Sequence, residues 1–346
     1  MNTELLEILT LCVNEDKIAR AADILRRGGL VVLPTETVYG LGGIATSENA
    51  ARAIYEAKGR PSDNPLIIHI ADPADAELYA VTNDTYYRLA RQCMPGPLTV
   101  ILPKKDTIPY SVTGGIDTVS VRCPAHPVAN ALIRATGAAI AAPSANRSGR
   151  PSPTCAAHVI EDLMGRVDAI IDGGECEVGL ESTILKIEGD KGVLLRPGGI
   201  TPDALSCVCE ISVAPAVTAA LAANERPLSP GMKYRHYAPK APLVLLDGSK
   251  EAVLSRLQVL AAGEQVGILC YDEEIPLLQG KATLFPVGAR ADLQTQAHRL
   301  FSALREADAH PALTKLYAHL PPKEGLGLAL YNRCIRAAAH TVETIE

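Results

Sequence analysis

The sequence predicts an α/β protein with two parts. The first is a twisted, mixed parallel and antiparallel sheet with flanking helices; the second is a smaller three-layer α/β domain with a mainly parallel sheet. Three observations predict this. The chain has 346 residues, which suggests about two domains. Apolar residues make up 47% of it, yet Trp is absent and Phe occurs twice, so the cores must be built from Val, Ile, Leu and Ala, the palette of near-continuous aliphatic strands. Finally, helix and strand signals alternate, irregularly in the first part and regularly in the second.

Element by element, Ile18 to Arg27 has helical spacing and stops at Gly28-Gly29. LVVLPTETVYG then reads as a buried strand running into a polar turn, and Ser47 caps a helix with Ala50, Ala53, Ile54 and Ala57 on its apolar face. LIIHI is a strand, followed by helical signals at Asp75 to Ala80 and Thr85 to Cys93. LTVILP, TVSVRCP, AAIAAPS, DAIIDGG, STILKI and VLLRPGG complete the first sheet. From Ser212 to Pro242 the chain is rich in Ala and Pro and carries SPGMKYRHYAPKAP, which reads as a connector with a functional insert. PLVLL, QVGILCY, ATLFPVG and TKLYAHL then alternate with helices near 250–262, 291–307 and 325–339. The expected domains are residues 1–206 and 241–346, joined by a connector at 207–240.

The net charge of −6 argues against coating nucleic acid or anionic membranes through bulk charge, though a local basic patch is compatible with it. Nine scattered cysteines without a C-x-x-C pair argue against a zinc site and for reduced thiols in a cytosolic protein. The N-terminus reads as no signal peptide, and no apolar run is long enough for a transmembrane helix, so the expected location is the cytoplasm.

Five segments could carry chemistry. Pro34 to Gly43 offers Thr35, Glu36 and Thr37 beyond a buried strand, where open α/β sheets place ligands, or is simply a polar glycine loop. In AKGRPSDNPLIIHI, Lys58 and Arg60 could neutralise a polyphosphate or merely favour a helix C-terminus; Asn64 sits between two prolines, and His69 is a ligand contact or a satisfied core histidine. Arg122 ends an apolar strand and needs an anion, either a structural Asp or a substrate carboxylate held bidentately. APSANRSGRPSPT presents Ser144, Asn146, Ser148 and Ser152 beside Arg147 and Arg150. GLEST and LRPGG contribute Ser182 and Arg196. There is neither a G-x-x-x-x-G-K-[ST] loop nor a dinucleotide fingerprint, so an ATP site must be of another type.

Singly these signals are weak, but their order is specific. LPTETVYGL, AKGRP with NPLIIHI, PGPLTVIL, VRCPAHP, APSAN-x-SG-x-PSPT, ESTIL and LRPGG make residues 18–205 resemble the YrdC-like domain of the threonylcarbamoyl-AMP synthase family. SPGMKYRHYAP and the domain after it resemble the longer, two-domain members. The resemblance implies a nucleotidyltransferase that joins ATP, L-threonine and bicarbonate or carbon dioxide into threonylcarbamoyl-AMP and pyrophosphate, in service of tRNA modification. It implies that Thr37, His69, Arg122 and Ser182 hold threonine, with Arg122 on its carboxylate. Lys58, Arg60 and Asn64 would meet the phosphates, with Lys58 and Arg60 catalytic. Thr118, Ser144, Asn146, Ser152 and Arg196 would contact the nucleotide, and Tyr234 and His236 would close over it. Mg²⁺ would accompany the triphosphate with few dedicated protein ligands. The product would pass to the machinery that transfers threonylcarbamoyl to tRNA.

The attacking oxygen belongs to the substrate, so no protein nucleophile is required and catalysis rests on positioning and on cations. The main rival is a non-catalytic module binding tRNA or double-stranded RNA, with Lys58, Arg60, Arg147, Arg150 and Arg196 as a basic concavity. A carbamoyl transferase of the hydrogenase-maturation type would need an acylphosphatase unit and zinc-finger cysteines, which the sequence lacks.

Overall fold

A computed structural model describes residues 2–8, 13–219, 229 and 237–346. The chain divides into two compact units, residues 1–148 with 152–233, and residues 149–151 with 234–346.

Among the described residues the first unit is built on an eleven-stranded sheet in the order Glu4–Glu7, Ala169–Asp172, Val31–Leu33, Gly40–Ile44, Ile140–Ala141, Ile67–His69, Thr118–Arg122, Leu98–Pro103, Thr183–Glu188, Lys191–Arg196, Glu210–Val213. Five of its pairings are parallel and five antiparallel, the mixture the irregular sequence alternation predicts. The helices Glu15–Arg26 and Pro127–Thr136 cover one face, burying Ala21, Leu25, Leu132 and Ile133 against Val31, Ile140 and Ile171.

Three strands of the first unit escaped the sequence reading. Glu4–Glu7 is a half-exposed edge strand with little apolar signal. Gly40–Ile44 is so rich in glycine that it reads as a turn, yet four of its five residues are buried. Glu210–Val213 pairs with Lys191–Arg196, so the first sheet runs into the stretch expected to be connector.

The second unit carries five parallel strands in the order Thr283–Pro286, Val266–Cys270, Lys315–His319, Leu243–Asp247, Val342–Thr344. The helices Lys250–Leu260, Leu293–Asp308 and Gly327–Ala337 connect them as βαβ crossovers, as the regular alternation predicts. The last short strand, Val342–Thr344, was also missed. Near the carboxyl ends of the strands, Glu274 is buried and accepts from Arg290 at 2.6 Å and from His319 at 2.9 Å.

Candidate active site

Sheet order assembles one side of the site. His69 is in register with Arg122 on the neighbouring strand, and Arg122 with Thr99 on the next. Residues opposite one another point to the same face, so the three side chains form a row across three strands. The row continues through hydrogen bonds. Thr99 Oγ1 and Ser182 Oγ lie 2.7 Å apart, and Arg196 donates to the Ser182 hydroxyl and carbonyl at 3.1 and 3.0 Å. A register shift between Leu194 and Arg196 re-aims the arginine towards Ser182. The turn behind it needs glycine, since a Cβ at Gly198 would stand 2.5 Å from the Thr183 nitrogen and 2.6 Å from the Glu181 oxygen. Thr99 was not singled out from the sequence, where it is one polar residue inside LTVILP.

The loop after Val31–Leu33 adds the next layer. Thr35 Oγ1 and Thr37 Oγ1 are 2.8 Å apart, and the Thr35 hydroxyl donates to the Val38 carbonyl at 2.6 Å. Glu36 Oε1 accepts from the Arg122 Nη2 group at 2.7 Å in a pair whose side chains are 7% and 4% exposed. The structural and substrate readings of Arg122 are thus not exclusive, because its Nε has no partner, and neither has Glu36 Oε2. His69 Nδ1 and His126 Nδ1 are also buried without partners. Burial works against the Glu36 charge, but the Arg122 guanidinium, helped by the backbone amides of Glu36 and Ala125, holds the carboxyl below its ordinary range. Burial, reinforced by Arg122, pushes His69 down to about 3, so the imidazole is neutral at neutral pH. Burial pushes the Cys123 thiol up to about 12 and raises Cys176 as well, which keeps both protonated.

Lys58 and Arg60 flank Gly59, whose φ of 64° ends the helix Glu48–Lys58 in the left-handed conformation glycine favours. The Lys58 ammonium donates to the Ser144 and Asn146 carbonyls, and Ser144 Oγ donates to Asn146 Oδ1 at 2.5 Å. Arg60 donates to the carbonyls of Asn64 and Pro65 at 3.3 and 3.1 Å, which folds the proline-stiffened turn around the guanidinium. Thr118 begins the strand that Arg122 ends. On the neighbouring strand Thr118 pairs with Pro103, at the opposite end from the pairing of Arg122 with Thr99. Ser152 Oγ donates to Glu181 Oε1 at 2.5 Å; Glu181 is a second residue the sequence reading passed over.

Backbone bonds lock these loops together. The Leu41 amide donates to Pro143, Ala145 to Tyr39, Tyr39 to Pro153, Cys176 to Thr154 and Val178 to Glu36, at 2.7 to 2.9 Å. Thr37, His69, Arg122, Ser182 and Arg196 therefore join one hydrogen-bonded framework with Lys58, Ser144, Asn146 and Ser152. Tyr234 and His236 lie outside the described residues. Lys58, Arg60 and Arg196 are buried, at 3, 8 and 6% exposure, so they do not form the exposed basic face a nucleic-acid groove requires. Among the described residues no group of three or more His, Cys, Asp or Glu side chains is placed to hold a metal, and no helix is long and apolar enough to cross a membrane.

Comparison with known proteins places this framework. The Sua5/YciO/YrdC family model, described as telomere recombination, matches residues 23–198. A second model, described as the threonylcarbamoyl-AMP synthase C-terminal domain, matches residues 200–339. The chain is 46% identical to the threonylcarbamoyl-AMP synthase of Bacillus subtilis, over 96% of each chain. It is 42% identical to that of Pyrococcus abyssi, over 95% of this chain and 96% of the other. A crystal structure of P. abyssi Sua5 complexed with L-threonine superposes with a TM-score of 0.91 at 41% identity, covering 99% of this chain and 100% of that one.

Proposed function

From the premise that the chain belongs to the threonylcarbamoyl-AMP synthase family, we propose how its own residues carry that synthesis. The enzyme is a nucleotidyltransferase that uses ATP and L-threonine as substrates. The threonine carboxylate binds Arg122 through the free Nε. Thr37, neutral His69 and Ser182 fix the rest of the amino acid by hydrogen bonds. Lys58, Arg60 and Asn64 meet the triphosphate, while Thr118, Ser144, Asn146, Ser152 and Arg196 hold the nucleotide, and Tyr234 and His236 close on it.

The threonine ammonium gives up a proton to solvent, and the free amine then adds to carbon dioxide with loss of a second proton, or to bicarbonate with loss of water, to give a carbamate. A carbamate oxygen forms a bond to the α-phosphorus of ATP as the bond to pyrophosphate breaks. The protein aligns the two and places fixed positive charge where negative charge builds. Keeping water out protects the labile carbamate. Mg²⁺ would enter with the triphosphate. Of the buried carboxylates here, Glu36 is engaged by Arg122 and Glu181 by Ser152, so oxygen ligands for a hard cation come mainly from the phosphates. The threonylcarbamoyl-AMP would then pass to the enzymes that modify tRNA.

The observation that carries this reading is Arg122, a buried guanidinium with an unpartnered nitrogen in a row with His69 and Thr99. The test is pyrophosphate release from ATP, measured with and without L-threonine and bicarbonate. Release that depends on both is the expected result. Release independent of threonine, or unchanged in Lys58→Ala, Arg60→Ala and Arg122→Ala, overturns the assignment.

A further inference from the structure

The Glu36–Arg122 contact is half of what two such groups can make. A carboxylate and a guanidinium pair best through two parallel hydrogen bonds, yet only Nη2 and Oε1 meet here. Arg122 Nε and Glu36 Oε2 are left buried and unpartnered. Buried polar atoms without partners are rare, and each calls for a ligand or a water. Here one donor and one acceptor of opposite charge remain, on two side chains already in contact.

A free amino acid carries the matching pair, a carboxylate and an ammonium on one carbon. If its carboxylate is taken out of water against Arg122, the adjoining ammonium is taken out with it and must find an anion. Glu36 is the carboxylate in contact with that arginine, and it sits next to Thr37 in the chain. We propose that Glu36 is the amino-group anchor of the threonine site: its Oε2 accepts from the substrate ammonium while Oε1 holds Arg122 for the substrate carboxylate. The buried ion pair is thereby a template for a zwitterion. This inference rests on the reading that Arg122 binds the threonine carboxylate.

The anchor acts on the ground state. Once carbamate forms, the nitrogen has lost its charge, so Glu36 governs the capture of threonine more than the later attack on phosphorus. Losing the anchor therefore raises the KM for threonine more than it lowers kcat.

The experiment compares L-threonine with 3-hydroxybutyrate of matching configuration, the same acid with hydrogen in place of the amino group. Binding of each is measured by calorimetry on the full-length wild-type, Glu36→Gln and Arg122→Ala proteins, with ATP affinity as the check on folding. Wild type is expected to bind threonine at least about tenfold more tightly than the des-amino acid, the worth of a hydrogen bond to a charged group. Glu36→Gln is expected to lose that preference, chiefly by weakening threonine. A wild type that binds both acids equally overturns the proposal, as does a Glu36→Gln protein that weakens both by the same factor, since Glu36 would then only orient Arg122. If Glu36→Gln loses ATP affinity, Glu36→Asp, which keeps the charge but draws it back, takes its place with the same two outcomes. Arg122→Ala tests the underlying reading separately: unchanged affinity for both acids sinks the carboxylate assignment whatever Glu36 does.

Discussion

Arg122 and Glu36 meet at 2.7 Å across 86 residues of sequence, both nearly excluded from solvent. Removing one partner strands the other charge in a low-dielectric interior. Arg122→Met is therefore expected to cost about 3–5 kcal/mol of stability, whereas Arg122→Met combined with Glu36→Gln costs less than the two single changes together. Chemical denaturation of the four proteins in a double-mutant cycle measures this. Additive losses would show that the pair is not coupled.

His69 sets a pH dependence of stability. Its folded pKa of about 3 lies below the ordinary histidine value, because burial and then Arg122 disfavour the charged ring. An unfolded chain takes up the proton near pH 6.5, and the folded one does not. The stabilisation of the folded state is thus complete above that pH and falls by about 1.4 kcal/mol per pH unit from there down to about pH 3, where the folded histidine also takes up the proton. Glu36, with a depressed carboxylate pKa, adds a loss in the same direction at lower pH, below about 4.3. The His69→Gln protein should keep the Glu36 part and lose the His69 share of the slope between about pH 6 and 5, as thermal or denaturant unfolding would measure, while His126 and His340, whose pKa values burial also lowers, keep theirs.

Much of this site was legible in the residues, and the remainder depended on information a linear chain does not hold. PTETVYG, AKGRP and APSAN announce themselves because polar groups and glycines follow aliphatic strands directly. Thr99 does not, because a hydroxyl inside LTVILP looks like a strand residue until sheet order sets it opposite Arg122. Glu181 was read only as part of GLEST until Ser152, 29 residues earlier, was found donating to it. The connector reading failed locally for a related reason. Glu210–Val213 has no buried residue of its own and becomes a strand by pairing with Lys191–Arg196.

Gly198→Ala tests whether the Arg196 end of the framework is as tightly fitted as its geometry implies. The added Cβ would meet backbone atoms, the Thr183 nitrogen and the Glu181 oxygen, which cannot swing aside as a flexible side chain does. Overpacking of this kind costs about 1–3 kcal/mol and moves the turn. Arg196 should then lose its bonds to Ser182, with weaker ATP and threonine binding in calorimetry at preserved overall fold. Full affinity for both would show that the turn yields without disturbing the site.

The buried Glu274 gives the second unit its own test. Burial opposes its charge, but the His319 hydrogen bond, the Tyr271 amide and the Arg290 guanidinium prevail and leave its pKa lowered. Its contribution is therefore present above the ordinary carboxylate range and lost as pH falls below it. Glu274→Gln should destabilise the protein by about 3–5 kcal/mol at neutral pH, since Arg290 and His319 lose their shared anion. Hydrogen exchange should localise the loosening to the strand ends near Cys270 and His319, with the amides of Thr99 and Arg122 unaffected.

Lys58 has two duties that one substitution can separate. Its ammonium donates to the Ser144 and Asn146 carbonyls, so it organises the loop that presents Ser144 and Asn146, and it is also a cation assigned to the triphosphate. Lys58→Met keeps most of the stem and removes the charge. Turnover should fall about 100-fold, the usual loss on removing one preorganised donor from a developing charge. Lys58→Arg keeps the charge but places a planar fork where a compact ammonium fits between two carbonyls, so it should restore little. Hydrogen exchange at residues 144–148 distinguishes the duties. If Lys58→Met leaves those amides as protected as in wild type while turnover collapses, the lysine acts on the phosphates alone. If protection is lost in proportion to turnover, its main work is holding the loop. Unchanged turnover in both variants would remove Lys58 from the catalytic group.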